Sequence, residues 1–166
     1  MSGNTDTTVE QAKVSPAGKD TTVGNYFVSN YPPFSFWKQE GVDDYRQAIE
    51  RAPNPETPLG LYLHIPFCRK RCHFCYFRVY TDKNASAING YLKAAAKELE
   101  LYRKQPFIGD RKLDFIYFGG GTPSYLSVDQ LTKLTDDLKE TLPWDDAREV
   151  TFECEPGTLT PQKLKA

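Results

Sequence analysis

The sequence has no apolar run approaching the roughly 18 residues that a membrane span needs, and its opening stretch, MSGNTDTTVEQAKVSPAGKDTT, lacks the basic-then-apolar order of a secretory signal. A cytoplasmic protein without a membrane span is the expectation. Neither charge is in excess: lysine and arginine total 21 against 22 for aspartate and glutamate, so nothing favours a nucleic-acid partner. Large apolar side chains are scarce in residues 1–22, which cannot bury enough surface to offset ordering and are expected to form a disordered tail. Cysteine is scarce as well. Of the four present, three lie within eight residues, a poor disulfide framework but a good metal or redox cluster in a reducing compartment.

The rest of the 166-residue chain, at 39% hydrophobic and 13% aromatic overall, suits a globular domain. Residues 23–57 form an N-terminal segment in which the aromatic, proline-bearing YFVSNYPPFSFW is expected to lie irregularly against a neighbouring surface. A short helix follows in GVDDYRQAIERAP, with Val42, Tyr45 and Ile49 at helical spacing and Pro53 as the stop.

From residue 58 onwards strands and helices alternate. LYLHI reads as a strand. Ile88, Tyr91, Leu92, Ala95, Leu99 and Tyr102 make one apolar stripe along a long helix. LDFIYF is a nearly continuous apolar run, expected of a strand covered on both faces. The next helix opens on Ser127 and Gln130, spaced as a capping box, and turns Val128, Leu131, Leu134 and Leu138 inward. EVTFECEP reads as a third strand, and Thr160 with Pro161 as the start of another helix. This order predicts right-handed βαβ units on a parallel sheet. Three strands are few for such a sheet, and the last residues, TPQKLKA, run into a helix with no stop, so residues 58–166 are expected to be part of a longer barrel or sheet.

The unusual motifs fall at the strand ends where α/β folds gather their functional groups. Cys68, Cys72 and Cys75, spaced C-x3-C-x2-C, follow the first strand. A structural zinc site would need a fourth ligand, with His73, His64 and Cys154 as candidates. A [4Fe–4S] cluster on three thiolates would instead keep one iron open to a small molecule, with Arg69, Lys70 and Arg71 offsetting the remaining negative charge. Spacing alone leaves both standing, with inert thiols a third reading. The GGGTP after the second strand is neither a dinucleotide fingerprint nor a P-loop, but three glycines let backbone groups approach a ligand closely. Strand alternation places Thr151 and Glu153 on one face and Val150, Phe152 and Cys154 on the other. Glu153 should therefore look into the functional face, where sugar hydroxyls would suit it, and Cys154 should pack towards the helices. The same alternation pairs Tyr62 with His64.

YLHIPFCRKRCHFCYF, YFGGGTPSYL and TFECEPGTLT, in that order, resemble the signatures of radical S-adenosylmethionine (SAM) enzymes, and among them the group related to oxygen-independent coproporphyrinogen III oxidase (dehydrogenase), which includes haem chaperones and methyltransferases. The likeness runs from about Leu61 to Pro161. It implies an α/β fold, the first three βα units of a partial (β/α)6 TIM-like barrel. It also implies a [4Fe–4S] cluster on Cys68, Cys72 and Cys75, with SAM chelating the fourth iron. Tyr62 and Phe74 would flank SAM, Gly120, Gly121 and Thr122 would bind its methionine end or a second SAM, and Glu153 would meet its ribose. The implied activity is reductive cleavage of SAM to a 5′-deoxyadenosyl radical, acting on a porphyrinogen or related tetrapyrrole, with an electron donor such as flavodoxin or ferredoxin. One departure is visible: where the dehydrogenase pattern places a further cysteine just after the third, this chain reads CYFRVY. The chaperone and methyltransferase alternatives stay open beside the dehydrogenase, and a zinc-stabilised binding module remains a remote one.

Overall fold

The computed structural model describes residues 36–75 and 77–165. The tail expected over residues 1–22 and most of the aromatic segment lie outside the described residues. Apart from two short 3-10 turns, the described residues form α1 (Gly41–Ile49), β1 (Gly60–Ile65), α2 (Ala85–Arg103), β2 (Phe115–Gly120), α3 (Val128–Thr141) and β3 (Glu149–Phe152), in that order. The three strands form one parallel sheet in the order β1-β2-β3. In register, Leu61 stands beside Ile116, Leu63 beside Phe118, and Phe118 beside Phe152.

The sheet is covered on one face. Leu63 and Ile65 of β1 and Ile116 and Phe118 of β2 are buried with Ile88, Leu92 and Leu99 of α2 and Leu134 and Leu138 of α3 in a single core. The side chains between them, Tyr62, His64, Phe115 and Tyr117, look the other way and are exposed or half-buried. The apolar run of β2 therefore does not mean two covered faces, as the sequence led us to expect; its odd positions are aromatic and sit on an open face. Both crossovers place their helices on the same side, as right-handed βαβ units must.

Local signals account for the helix starts. The Asn84 side chain accepts from the Ala87 amide at 2.9 Å and opens α2. The capping box of α3 is complete: Gln130 N donates to Ser127 Oγ at 3.2 Å and Ser127 N to Gln130 Oε1 at 3.0 Å. The expected cap at Thr160 is formed too, by Lys163 N at 3.2 Å, although residues 161–165 are a run of turns. β2 begins two residues later than the apolar run implies, because Asp114 is occupied at the strand's foot. Its amide donates to Leu59 O at 2.7 Å, and its carboxylate takes Arg148 Nε at 2.6 Å and Nη2 at 2.5 Å.

Leu138 is fully buried in this core. Leu138→Ala is expected to lower unfolding free energy by about 2–5 kcal/mol, and Ser127→Ala by about 1 kcal/mol, both read as shifted midpoints in urea titrations. Equal losses from the two changes would contradict a core centred on α3.

Candidate functional site

β1 runs on into Pro66, Phe67 and Cys68, where the chain leaves the sheet as a loop. Its base is closed. Tyr80 N donates to Pro66 O at 2.8 Å and Cys68 N to Tyr80 O at 3.0 Å, a parallel bridge pairing Phe67 with Tyr80. The Phe67 ring, itself buried, meets Tyr91 of α2 edge-on at 5.3 Å. Cys68 is thereby fixed at the sheet's edge with 7% of its surface exposed. Cys72 is exposed and Cys75 half-buried on the outer turn, where Cys75 N donates to Cys72 O at 3.1 Å and Arg71 Nη2 to Cys75 O at 2.9 Å. Phe74 stands 80% exposed. All four cysteines are free thiols.

The glycines that end β2 lie directly against this. Gly121 N donates to Ile65 O at 2.8 Å and Thr122 N to Phe67 O at 2.9 Å, which carries the strand pairing past Gly120. A Cβ on Gly121 would stand 2.8 Å from Cys68 Sγ and 3.0 Å from two backbone oxygens, so only glycine lets the turn sit on the thiol. Thr122 Oγ1 donates to Cys68 Sγ at 3.4 Å. Burial pushes the Cys68 thiol pKa up, and the Thr122 hydrogen bond pulls against that shift.

The open face of the sheet continues the site. Gly120 takes a left-handed φ of 113°, and a Cβ there would meet the His64 ring at 2.8 Å. Gly120 N donates to Glu153 Oε2 at 3.2 Å, and Tyr117 Oη donates to Glu153 Oε1 at 2.7 Å. Tyr62 Oη and His64 Nδ1 share a hydrogen bond of 3.0 Å. Burial raises the Tyr62 pKa, with Glu153 adding to it, whereas burial lowers that of His64 against the pull of Glu153.

Tyr62, Gly120, Gly121, Thr122, Glu153 and Cys68 are thus gathered along the ends of three adjacent strands. Cys72, Cys75 and Phe74 stand on the outer turn, apart from that group: among the described residues no three His, Cys, Asp or Glu side chains are close enough together to hold a metal ion. The donor chemistry still fits a three-thiolate cluster, since one thiol is seated on a glycine cradle and two more follow on the same pinned loop. Cys154 departs from expectation. It is exposed, because β3 ends at Phe152 and the helix side of this edge strand is only partly covered; it borders an apolar groove with Phe118, Leu126, Trp144 and Phe152. Sequence reasoning missed Tyr117, although the alternation of LDFIYF places it on the same face as Glu153.

The family model for the radical SAM superfamily matches residues 62–166. The chain belongs to that superfamily. Members of it work with a [4Fe–4S] cluster and SAM. Among curated relatives, the chain is 34% identical over 130 residues to the oxygen-independent coproporphyrinogen III oxidase of Synechocystis sp., covering 77% of this chain and 28% of that protein. It is also 34% identical over 110 residues to the haem chaperone HemW of Haemophilus influenzae, covering 65% of this chain and 29% of that one. The chain therefore spans under a third of the length of these curated relatives. Among solved structures, the coproporphyrinogen III oxidase HemN of Escherichia coli, a radical SAM enzyme, superposes with a TM-score of 0.65 at 30% identity, over 81% of this chain and 30% of that one. The parallel sheet with its helices on one face is accordingly part of a TIM-like radical SAM barrel, and the open face is the barrel's inner side. Among the described residues no helix is long and apolar enough to cross a membrane.

Gly121→Ala should expose the seating of Cys68. It is expected to cost about 1–3 kcal/mol through overpacking and to speed alkylation of Cys68 in the metal-free chain, followed by peptide mass spectrometry. Unchanged protection of Cys68 relative to exposed Cys72 would contradict the cradle.

Proposed function

We propose that this chain carries the cluster-binding and SAM-binding part of a coproporphyrinogen III oxidase-like radical SAM protein that acts on a porphyrinogen or related tetrapyrrole in the cytoplasm. The observation that carries the proposal is the contact between Cys68 and Gly121, which sets the first thiol of C-x3-C-x2-C on the glycine turn of the next strand. Cys68, Cys72 and Cys75 would hold the [4Fe–4S] cluster, with the outer turn folding inward to bring the second and third thiols onto the first. When bound and reduced, the cluster supplies one electron to the SAM sulfonium, the radical chemistry of the superfamily.

The residues of this chain bind, orient and exclude. Gly120, Gly121 and Thr122 would meet the methionine end of SAM, with Thr122 Oγ1, which donates to Cys68 Sγ, keeping acceptor capacity beside the first thiol. Tyr62 and Phe74 would close over the cofactor as apolar walls. Glu153, held by Tyr117 and Gly120 N, keeps acceptor capacity for hydroxyls of the ribose. The buried wall of Phe67, Leu63 and Ile65 behind the loop keeps water from the seated thiol's side. Electrons would come from a flavodoxin- or ferredoxin-type donor. Whether one or two SAM molecules bind is decided by stoichiometry in the same measurements.

A second reading, a haem-binding chaperone on this scaffold, is favoured by the HemW relatives and by the absence of a further cysteine directly after Cys75. Anaerobic reconstitution of the full chain with iron and sulfide is expected to give about four irons per chain, a reduced signal by electron paramagnetic resonance, and a change in that signal on adding SAM. Cys68→Ala, Cys72→Ala and Cys75→Ala should each abolish it. Failure to hold iron, or a signal indifferent to SAM, would sink the proposal. Stoichiometric haem transfer without 5′-deoxyadenosine formation would move it to the chaperone.

A further inference from the structure

Tyr117 opens the second motif, YFGGGTPSYL, without a role assigned to it there, yet of the polar groups on the open face it makes the shortest hydrogen bond to Glu153. We propose that Tyr117 is a positioning residue, which fixes the Glu153 carboxylate for a ligand's hydroxyl groups; this rests on the reading that Glu153 meets the SAM ribose.

Glu153 lies just beyond β3, where its amide still donates to Phe118 O at 3.0 Å, and its side chain is exposed. An exposed glutamate with three side-chain torsions would sample many positions, and ordering it on binding would cost affinity. Here both carboxylate oxygens are already held from one side. Tyr117 Oη donates to Oε1 at 2.7 Å and Gly120 N donates to Oε2 at 3.2 Å, which leaves the remaining lone pairs for groups arriving from the open face. The carboxylate in turn raises the pKa of the Tyr117 phenol, chiefly through that hydrogen bond, so the phenol stays a donor.

The tyrosine is itself held in place. Its ring stands 5.9 Å from that of Tyr62, and Tyr62 is hydrogen-bonded to His64. A Cβ on Gly119 would come within 2.7 Å of the Tyr117 ring and 3.0 Å of the Tyr62 ring. The first glycine of the triplet therefore makes the space in which the two rings sit. Gly119 is buried under them. The path runs from Gly119 to the paired tyrosine rings, and from the Tyr117 hydroxyl to the carboxylate; no step of it touches the cysteine loop.

The test uses the full chain with its cluster reconstituted anaerobically, titrated with SAM and followed by the SAM-dependent change in the reduced cluster's paramagnetic resonance signal. Tyr117→Phe keeps the ring and removes the donor. It is expected to raise the half-saturating SAM concentration roughly tenfold, with iron content and the SAM-free signal unchanged. Glu153→Gln should weaken binding as well, and the double variant should bind no more weakly than Glu153→Gln alone, a non-additivity that a merely structural role for Tyr117 would not produce. If Tyr117→Phe titrates like the parent, or if the two losses multiply in the double variant, the positioning role is overturned while the cofactor reading stands. If the parent shows no SAM-dependent change, the cofactor reading fails and this inference with it.

Discussion

The close approach of three consecutive glycines to the end of β1 is the constraint on which the site depends. Each glycine is bare for a different neighbour. Gly119 leaves room for the rings of Tyr62 and Tyr117, Gly120 faces the His64 ring in a left-handed conformation and offers its amide to Glu153, and Gly121 admits the Cys68 thiol. A methyl group at any of the three would meet a different functional side chain within 3 Å. Backbone hydrogen bonds from Gly121 and Thr122 to Ile65 and Phe67 hold the turn at that distance. The triplet thus links cysteine, aromatic and carboxylate groups that come from separate strands.

What sets this approach is the asymmetry of the sheet. Ile116 and Phe118 of β2 and Leu63 and Ile65 of β1 are buried against α2 and α3, so hydrophobic burial fixes the register. A slip of one residue would send Ile116 and Phe118 to the open side and Tyr117 into the core. Below, the bidentate pair of Asp114 with Arg148 and the Asp114 amide on Leu59 align the feet of all three strands. Because Arg148 is solvent-exposed, the pair's contribution is one of alignment more than of stability. Above, the strand ends are where the aliphatic core gives way to glycine, cysteine and glutamate.

The sequence was legible where a residue's own chemistry decides its place. Ser127, Gln130 and Thr160 cap as their types and spacing require. Alternation turned Glu153 away from Phe152 and Cys154, and its carboxylate meets Tyr117 and Gly120 N on the open face. It was misleading where burial depends on neighbours. The run LDFIYF reads as buried on both faces because tyrosine and phenylalanine are apolar by count, whereas Phe115 and Tyr117 line an open face of the barrel. Cys154 sits on the helix side as alternation requires, but exposure is set by what covers an edge strand, and a cysteine carries no sign of that. Tyr117 was invisible as a site residue for a further reason: its partner lies 36 positions away and meets it only through the β2–β3 register.

In the proposed cluster site, one anchored thiol matters for a set of three. Fixing the backbone of a residue costs on the order of 1–2 kcal/mol of conformational entropy, so a free loop of this length would oppose cluster binding strongly. Here the cost at both ends has been met by folding itself, because Phe67 pairs with Tyr80 and Cys68 is seated against Gly121 and Thr122. Only the exposed turn carrying Cys72, Phe74 and Cys75 is left to be ordered, and it already contains a Cys75-to-Cys72 backbone bond and the Arg71 clamp on Cys75 O. Under the proposed cluster assignment, metal coordination and local folding would be one event confined to that turn. The sheet supplies a fixed first thiol and a fixed carboxylate, and under the proposed cluster assignment the outer turn would supply the other two thiols.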